Sequence, residues 1–320
     1  MKTQKITAFL ILATLLLISA CGQENQEQEN TATTEPTVIE IDAMYDAQNE
    51  RHLFNTEADT VPAGWTTVKL RNASPMVHFA FFEKLPGDRT SEDMHAEVLP
   101  KFQEASYLIE EGKPDEAMAK FGEMPAWFSE LVWMGGTGFV SPGLSTETTL
   151  FLTPGNYQVE CYVKDEDGTY HWNMGMYFDL HVTEDTTNAL PPQQADVTIT
   201  TTDDGLQIEG SPSAGENLVA VNFDENEPAL LARDVHVIEV TEDTDPDEVY
   251  RWMDFNLPGS LMSSADNPAP AVFVGGTHDM PKGYTAYFTF DMDPEKDYAW
   301  ITEQSAERFE FIRIDTSEEE

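Results

Sequence analysis

Of the chain's two cysteines, Cys21 and Cys161, only the second lies beyond the N-terminal 37 residues. His171, Met174 and Met176 follow it in the run Cys161-Tyr-Val-Lys-Asp-Glu-Asp-Gly-Thr-Tyr-His171-Trp-Asn-Met174-Gly-Met176. A lone thiol can be a small buried hydrophobe or a reactive sulfur open to oxidation. Around it Tyr157, Val159, Cys161 and Val163 alternate with Gln158, Glu160 and Tyr162. Period two places the first set, thiol included, on the inward face and the second set on the other. His278 and Met280 offer a nitrogen and a sulfur to a soft cation, as two isolated groups. His52, His95 and His181 stand alone and read as surface or packing residues.

The elements that must position these groups are strands. Short β-rich runs alternate with turn residues from residue 38 onward: Thr37–Ile41, Trp65–Leu70, Val77–Phe82, Thr148–Leu152, Tyr157–Val163 and Tyr177–Val182. Pro62-Ala63-Gly64 leads into one strand and Pro154-Gly155-Asn156 joins two others. That spacing predicts an all-β sandwich or barrel. Residues 91–134 differ: Val98, Phe102, Ala105 and Leu108/Ile109 recur at helical spacing, and Pro114-Asp115-Glu116 has the form of a helix start. We read 91–134 as a helical insertion between strands. Its aromatic residues Trp127, Phe128 and Trp133 are expected to pack over the sandwich, the other reading being a docking patch.

The polar stretch 184–195, with Pro191-Pro192, reads as a linker, after which features return in the same order. Val77-His78-Phe79 is echoed by Val235-His236-Val237, and Gly135-Gly136-Thr137 by Gly275-Gly276-Thr277. Thr148–Leu152 with Pro154–Tyr157 is echoed by Tyr287–Asp291 with Pro294–Tyr298. This predicts a tandem duplication, with domains at 38–183 and 196–320. His236 then falls opposite His78, and Ala299–Thr302 falls near Cys161. The second copy has no cysteine and is expected to be metal-free.

Residues 1–20 carry Lys2, Lys5 and an apolar run over Ile6–Ile18, too short for a comfortable membrane span and suited to a signal peptide. Ile18-Ser19-Ala20-Cys21 resembles the bacterial lipoprotein processing box, which implies cleavage before Cys21 and its lipidation. Residues 21–37 are then a flexible, lipid-anchored tether. The expected location is the extracytoplasmic face of a bacterial envelope: the periplasmic side, or the outer membrane or cell surface in a two-membrane cell. The chain's 320 residues are ample for two domains, and a net charge of −42 repels phosphate, which excludes nucleic acid as a partner. With the acids spread along the whole chain, the charge reads first as a hydrated surface.

With the flanks Pro62-Ala63-Gly64-Trp65, Asn72, Pro154-Gly155-Asn156-Tyr157, Asp167-Gly168 and Gly175-Met176, the chain resembles the cupredoxin family over residues 38–183 and, more faintly, over 196–316. The resemblance implies two Greek-key β-sandwiches and one mononuclear copper ion in the first. It implies His78, Cys161 and His171 as strong ligands and Met176, or Met174, as a weak axial one. Two imidazoles, a thiolate and a thioether suit both oxidation states of copper in one rigid cage. The nine residues between Cys161 and His171 are a longer spacing than better-known members use. A turn at Asp165–Gly168 would let them loop out and return His171 to Cys161; a relative that has lost copper is the other reading.

No Gly-rich phosphate loop, Gly-x-Ser-x-Gly elbow or His-Glu-x-x-His is present, and there is no His-x-His pattern for a second copper. The sequence therefore predicts a non-enzyme: an electron-transfer or copper-binding lipoprotein with a redox protein as partner. The alternatives are a metal-free binding module on the same fold and a copper carrier.

Overall fold

The computed structural model describes residues 35–224, 233–302 and 309–314. The expected signal peptide 1–20, Cys21 and nearly all of the 21–37 tether lie outside the described residues. In chain order the first half contains β1 (Thr37–Asp46), β2 (Arg51–Asn55), β3 (Thr60–Asn72), β4 (Phe81–Leu85), β5 (Val132–Gly136), β6 (Ser145–Leu152), β7 (Gly155–Glu160) and β8 (Tyr177–Thr186). The second half contains β9 (Val197–Thr202), β10 (Gly205–Gly210), β11 (Gly215–Phe223), β12 (Val235–Val240), β13 (Val272–Thr277), β14 (Thr285–Met292), β15 (Asp297–Ile301) and β16 (Phe311–Ile314).

The all-β expectation is met, and one pairing pattern occurs twice. β1 lies parallel to β3 and antiparallel to β2, and β3 is antiparallel to β6. In the second half β9 lies parallel to β11 and antiparallel to β10, and β11 is antiparallel to β14. On the facing sheets, β4 pairs with β5 and β7, and β7 with β8. Likewise β12 pairs with β13 and β15, and β15 with β16.

The two halves are joined edge to edge. β6 pairs with β14 through Thr148↔Phe288 and Thr149↔Tyr287, which joins β10, β9, β11 and β14 to β6 and β3; the far end of β3 also pairs in parallel with β8, so the path folds round into the facing strands β7, β4 and β5. Trp65 stands edge-on, at 5.6 Å, to Phe151 in its own half and to Tyr287 across this seam; such aromatic pairs are worth about 0.5–1.5 kcal/mol beyond their buried area. The segment after β5 stitches the halves again. Gly138 N–H donates to Gly276 O at 2.9 Å, Val140 bridges both His78 and Val274, and Ser141 N–H donates to Phe273 O at 2.9 Å. Val68, Leu70 and Leu150 of the first half and Val219, Val221 and Phe288 of the second are buried in one continuous apolar core.

The helical insertion lies between β4 and β5. It comprises α1 (Ser91–Asp93), a wider turn over Met94–Val98, α2 (Leu99–Glu110), α3 (Pro114–Phe121) and a tight turn over Ala126–Glu130. Thr90 caps its start in a reciprocal box with Asp93, and Pro114 opens α3. Met94, Val98, Leu99 and Trp127 pack with Leu85 and Trp172. Trp127 donates Nε1–H to Glu97 at 3.1 Å beneath the Arg89 guanidinium, and Phe128 packs on Phe102. Trp127 and Phe128 thus pack within the insertion. Gln158 and Glu160, on the face opposite Cys161, are also buried, with Glu83.

Candidate metal centre

His78 comes from a stretch that the sequence assigns to a strand but that precedes β4 proper. Its backbone exchanges two hydrogen bonds with Val140, of 3.2 and 2.8 Å. The turn before it is knitted by buried Asn72, whose Nδ2 donates to Met76 O and Val140 O and whose Oδ1 accepts from Ser74 N–H. That turn aims Ser74 Oγ at His78 Nε2, 2.8 Å away. A ring that donates Nε2–H to Ser74 keeps its Nδ1 lone pair free for a metal.

Cys161 follows β7 directly, buried on the inward face as its alternation requires. The long stretch to His171 is an ordered hairpin. Asp165 N–H donates to Thr169 O and Gly168 N–H to Asp165 O, Lys164 bridges Tyr170, and His171 N–H returns to Val163 O at 2.8 Å. The second half clamps it: Lys164 N–H donates to Leu261 O at 2.8 Å, and Ser263 N–H to Lys164 O at 3.1 Å. Buried Lys164 Nζ lies 3.4 Å from both Glu110 Oε1 and Ser260 Oγ. The extra residues therefore do loop out and bring His171 back beside Cys161.

A tight turn over His171–Met174 ends at Gly175, whose φ of +109° is a conformation that favours glycine. Met176 N–H then donates to His171 O, and Met176 O accepts from Cys161 N–H at 3.2 Å. Met176 is buried; Met174 is half-buried, with its carbonyl taken by Arg51.

These elements bring three donor atoms to one point. His78 Nδ1 and His171 Nδ1 are 3.2 Å apart, and Cys161 Sγ lies 3.6 Å from the first and 3.9 Å from the second. All three residues are 0% exposed. Metal bonds of about 2.0 Å to imidazole nitrogen and about 2.3 Å to thiolate sulfur, near trigonal, span such separations. The donor set fits one small ion of borderline or soft character.

Burial pushes the Cys161 thiol up to about 12, against backbone N–H groups of Phe79 and Val163 that favour the thiolate. A bound cation deprotonates a coordinating thiol outright. Burial holds His171 down to about 4, although Asp165 favours its charged form. His78 is held well below the ordinary imidazole value, by burial first and then by the neighbouring rings of His171 and His52. Rings kept neutral are rings kept ready to ligate.

The structure adds a residue that the sequence leaves aside. His52, on β2, is buried and stacks on His171 with ring centroids 4.0 Å apart and planes 19° from parallel. Its Nε2 lies 3.3 Å from Asp165 Oδ1, and His171 Nε2 lies 3.7 Å from the same oxygen. Partial burial works against the charge on Asp165, yet the two rings hold its carboxyl well below the usual range. His52 is thus no surface residue. His95 packs against Tyr177, and exposed His181 hydrogen-bonds Asn156.

His236 proves not to be the counterpart of His78. Gly276 pairs with His236 as Gly136 pairs with Phe81, so the register sets His236 level with Phe81, three residues later. Continuing the pairings Glu160↔Phe81 and Ile301↔His236 sets Thr302 level with Cys161. His236 Nδ1 accepts from Phe139 N–H at 3.3 Å and its Nε2 reaches Asp234 at 2.8 Å, so both nitrogens are engaged within the protein. His278 Nδ1 lies 3.3 Å from the Tyr162 hydroxyl.

No known protein family and no curated protein matches the chain. Similar solved structures include auracyanin A, described as a "blue" copper protein from Chloroflexus aurantiacus. It is 20% identical over 46% of this chain and 98% of its own, with a TM-score of 0.29. A dithionite-reduced auracyanin from Roseiflexus castenholzii is 22% identical over 49% and 99%, with a TM-score of 0.27. A copper nitrite reductase from Nitrosomonas europaea is 12% identical over 89% and 95%, with a TM-score of 0.25.

Proposed function

We propose that His78, His171 and Cys161 would hold one copper ion, with buried Met176 as a weak further donor, and that the protein carries single electrons. The observation that carries this reading is the convergence of two imidazole nitrogens and one thiol sulfur, 3.2–3.9 Å apart and closed to solvent. When bound, copper supplies a one-electron couple. The chain does the rest. The hairpin and the turn around Asn72 fix the donors in place, Ser74 and Asp165 orient the two rings, and the packed sandwich keeps water out. Geometry set by the fold needs little rearrangement when charge changes. Full burial of the donors favours electron passage over substrate binding, so the reading is a carrier rather than an enzyme.

The recurrent strand pattern supports a tandem duplication of cupredoxin-like sandwiches at 38–183 and 196–320, with 184–195 as linker. The leader and Cys21 support a lipid-anchored protein at the extracytoplasmic face of a bacterial envelope, exchanging electrons with a redox protein there and not with nucleic acid.

The test is the visible spectrum after adding Cu(II), beside that of Cys161→Ser. An intense thiolate-to-copper band that the variant lacks is expected. Absence of both band and bound copper refutes the reading; tight, colourless uptake of Cu(I) would favour a copper carrier instead.

A further inference from the structure

All ligand candidates are buried, so an electron must reach them through something that touches both the site and the surface. The β1–β2 hairpin provides this. Tyr45 lies directly across the antiparallel pair from His52, which puts both side chains on one face. Their rings are 4.8 Å apart at 35°. His52 in turn stacks on His171 at 4.0 Å. Tyr45 is 37% exposed and its neighbour Met44 39%, whereas His52 is 0% exposed. Three rings thus run in continuous contact from solvent to the imidazole beside the thiol.

Resting on the copper reading, we propose that the Tyr45–His52 pair is the electron port of the centre and that it serves a basic one-electron redox protein. The stacking tells against His52 as a ligand. A ring nearly parallel to His171 has its lone pairs in a parallel plane, not aimed at the point where His171 Nδ1 meets Cys161. Its Nε2 faces Asp165, and its Nδ1 has no hydrogen-bond partner among the described residues. The other imidazole, His78, is backed by Ser74, itself buried, rather than by an exposed ring.

The hairpin is built to hold this register. Asp46 accepts from Asn49 Nδ2 at 2.7 Å and from Gln48 N–H at 3.0 Å within the turn. Arg51 Nε reaches across to Met174 O at 3.1 Å, locking the hairpin onto the ligand turn. Exposed Glu50 and half-buried Asp46 lie in the same hairpin as the port, beside exposed Arg51, on a chain of charge −42. Such a surface attracts a cationic donor and repels an anionic one. In the step itself an external reductant loses one electron and the centre held by Cys161, His78 and His171 gains it; no bond forms and no proton moves.

The experiment is stopped-flow bleaching of the thiolate–copper band by hexaammineruthenium(II), with spectrum and reduction potential recorded for each protein. His52→Leu and Tyr45→Leu should keep the band and slow reduction about tenfold, equivalent to about 1.4 kcal/mol of barrier. His52→Phe, which keeps a ring in the stack, should restore most of the rate. Rates within about twofold of the parent protein for both leucine variants, with unchanged spectra, overturn the port. Loss of the band in His52→Leu alone overturns it by making His52 a ligand. A parent protein without the band removes the copper reading itself, and the port with it.

Discussion

Neutralising Glu110 should loosen the ligand hairpin from a distance. Lys164 is 1% exposed and its ammonium lies 3.4 Å from Glu110 Oε1, a carboxylate 24% exposed. At an effective dielectric near 20 the gross attraction at that separation is about 5 kcal/mol. Removing one partner of a fully buried pair costs about 3–5 kcal/mol. The partial exposure of Glu110 reduces this, so Glu110→Gln should cost about 2–3 kcal/mol, or about 3–5 °C in a thermal melt. The amide can still accept the Gly259 N–H bond, which isolates the charge. Lys164→Met deletes the buried charge instead and leaves Glu110 free to turn to water, so its loss should stay within about 1 kcal/mol. Melts of both variants and the double variant by circular dichroism make the test. The reasoning fails if Glu110→Gln melts within about 1 °C of the parent protein, or if Lys164→Met is the more damaging change.

Two further outcomes follow from buried groups. Burial pushes Glu83 up to about 8, only partly offset by its hydrogen bond from Gln158. A folded-state value above the unfolded one means native protein holds the proton more tightly. Its contribution is complete below about pH 4.5 and is lost as pH rises through about 8, with a slope near 1.4 kcal/mol per pH unit. Urea titrations at pH 5, 6, 7 and 8 should show that decline, and because burial raises Glu160 as well, flattening it should take Glu83→Gln together with Glu160→Gln. Gly136 and Gly276 sit at φ of +150° and +144°, where an added Cβ would strike the carbonyl oxygens of Ala80 and Val235. Alanine at either position should cost about 3 kcal/mol or more by chemical denaturation, with Gly87→Ala, which meets nothing, as the mild comparison.

The meeting of His78, Cys161 and His171 at one point was legible because the residue types and their flanks stand in the chain itself, despite the long spacing from Cys161 to His171. Met176 is buried where Met174 is half-buried. His52 was not legible, because it lies on a hairpin with no nearby residue of its kind, and only the fold lays β2 over the ligand turn. The buried Gln158 and Glu160 escaped because alternation reports two faces but not what covers the second. The displacement of His236 has a different origin: the Val-His-Val likeness matched side chains, whereas the paired glycines Gly136 and Gly276 carry the true backbone register. The clamp from Leu261 and Ser263 uses main-chain groups, which no residue type announces.

The seam between β6 and β14 bears on how the chain is made. Until β14 has been synthesised, β6 presents a row of unsatisfied backbone donors and acceptors, the kind of edge that templates unwanted pairing with other chains. At about 5–20 residues per second that exposure lasts on the order of ten seconds for every molecule produced. The halves are thus unequal in time though alike in pattern: the first must wait, open-sided, for the second to close it.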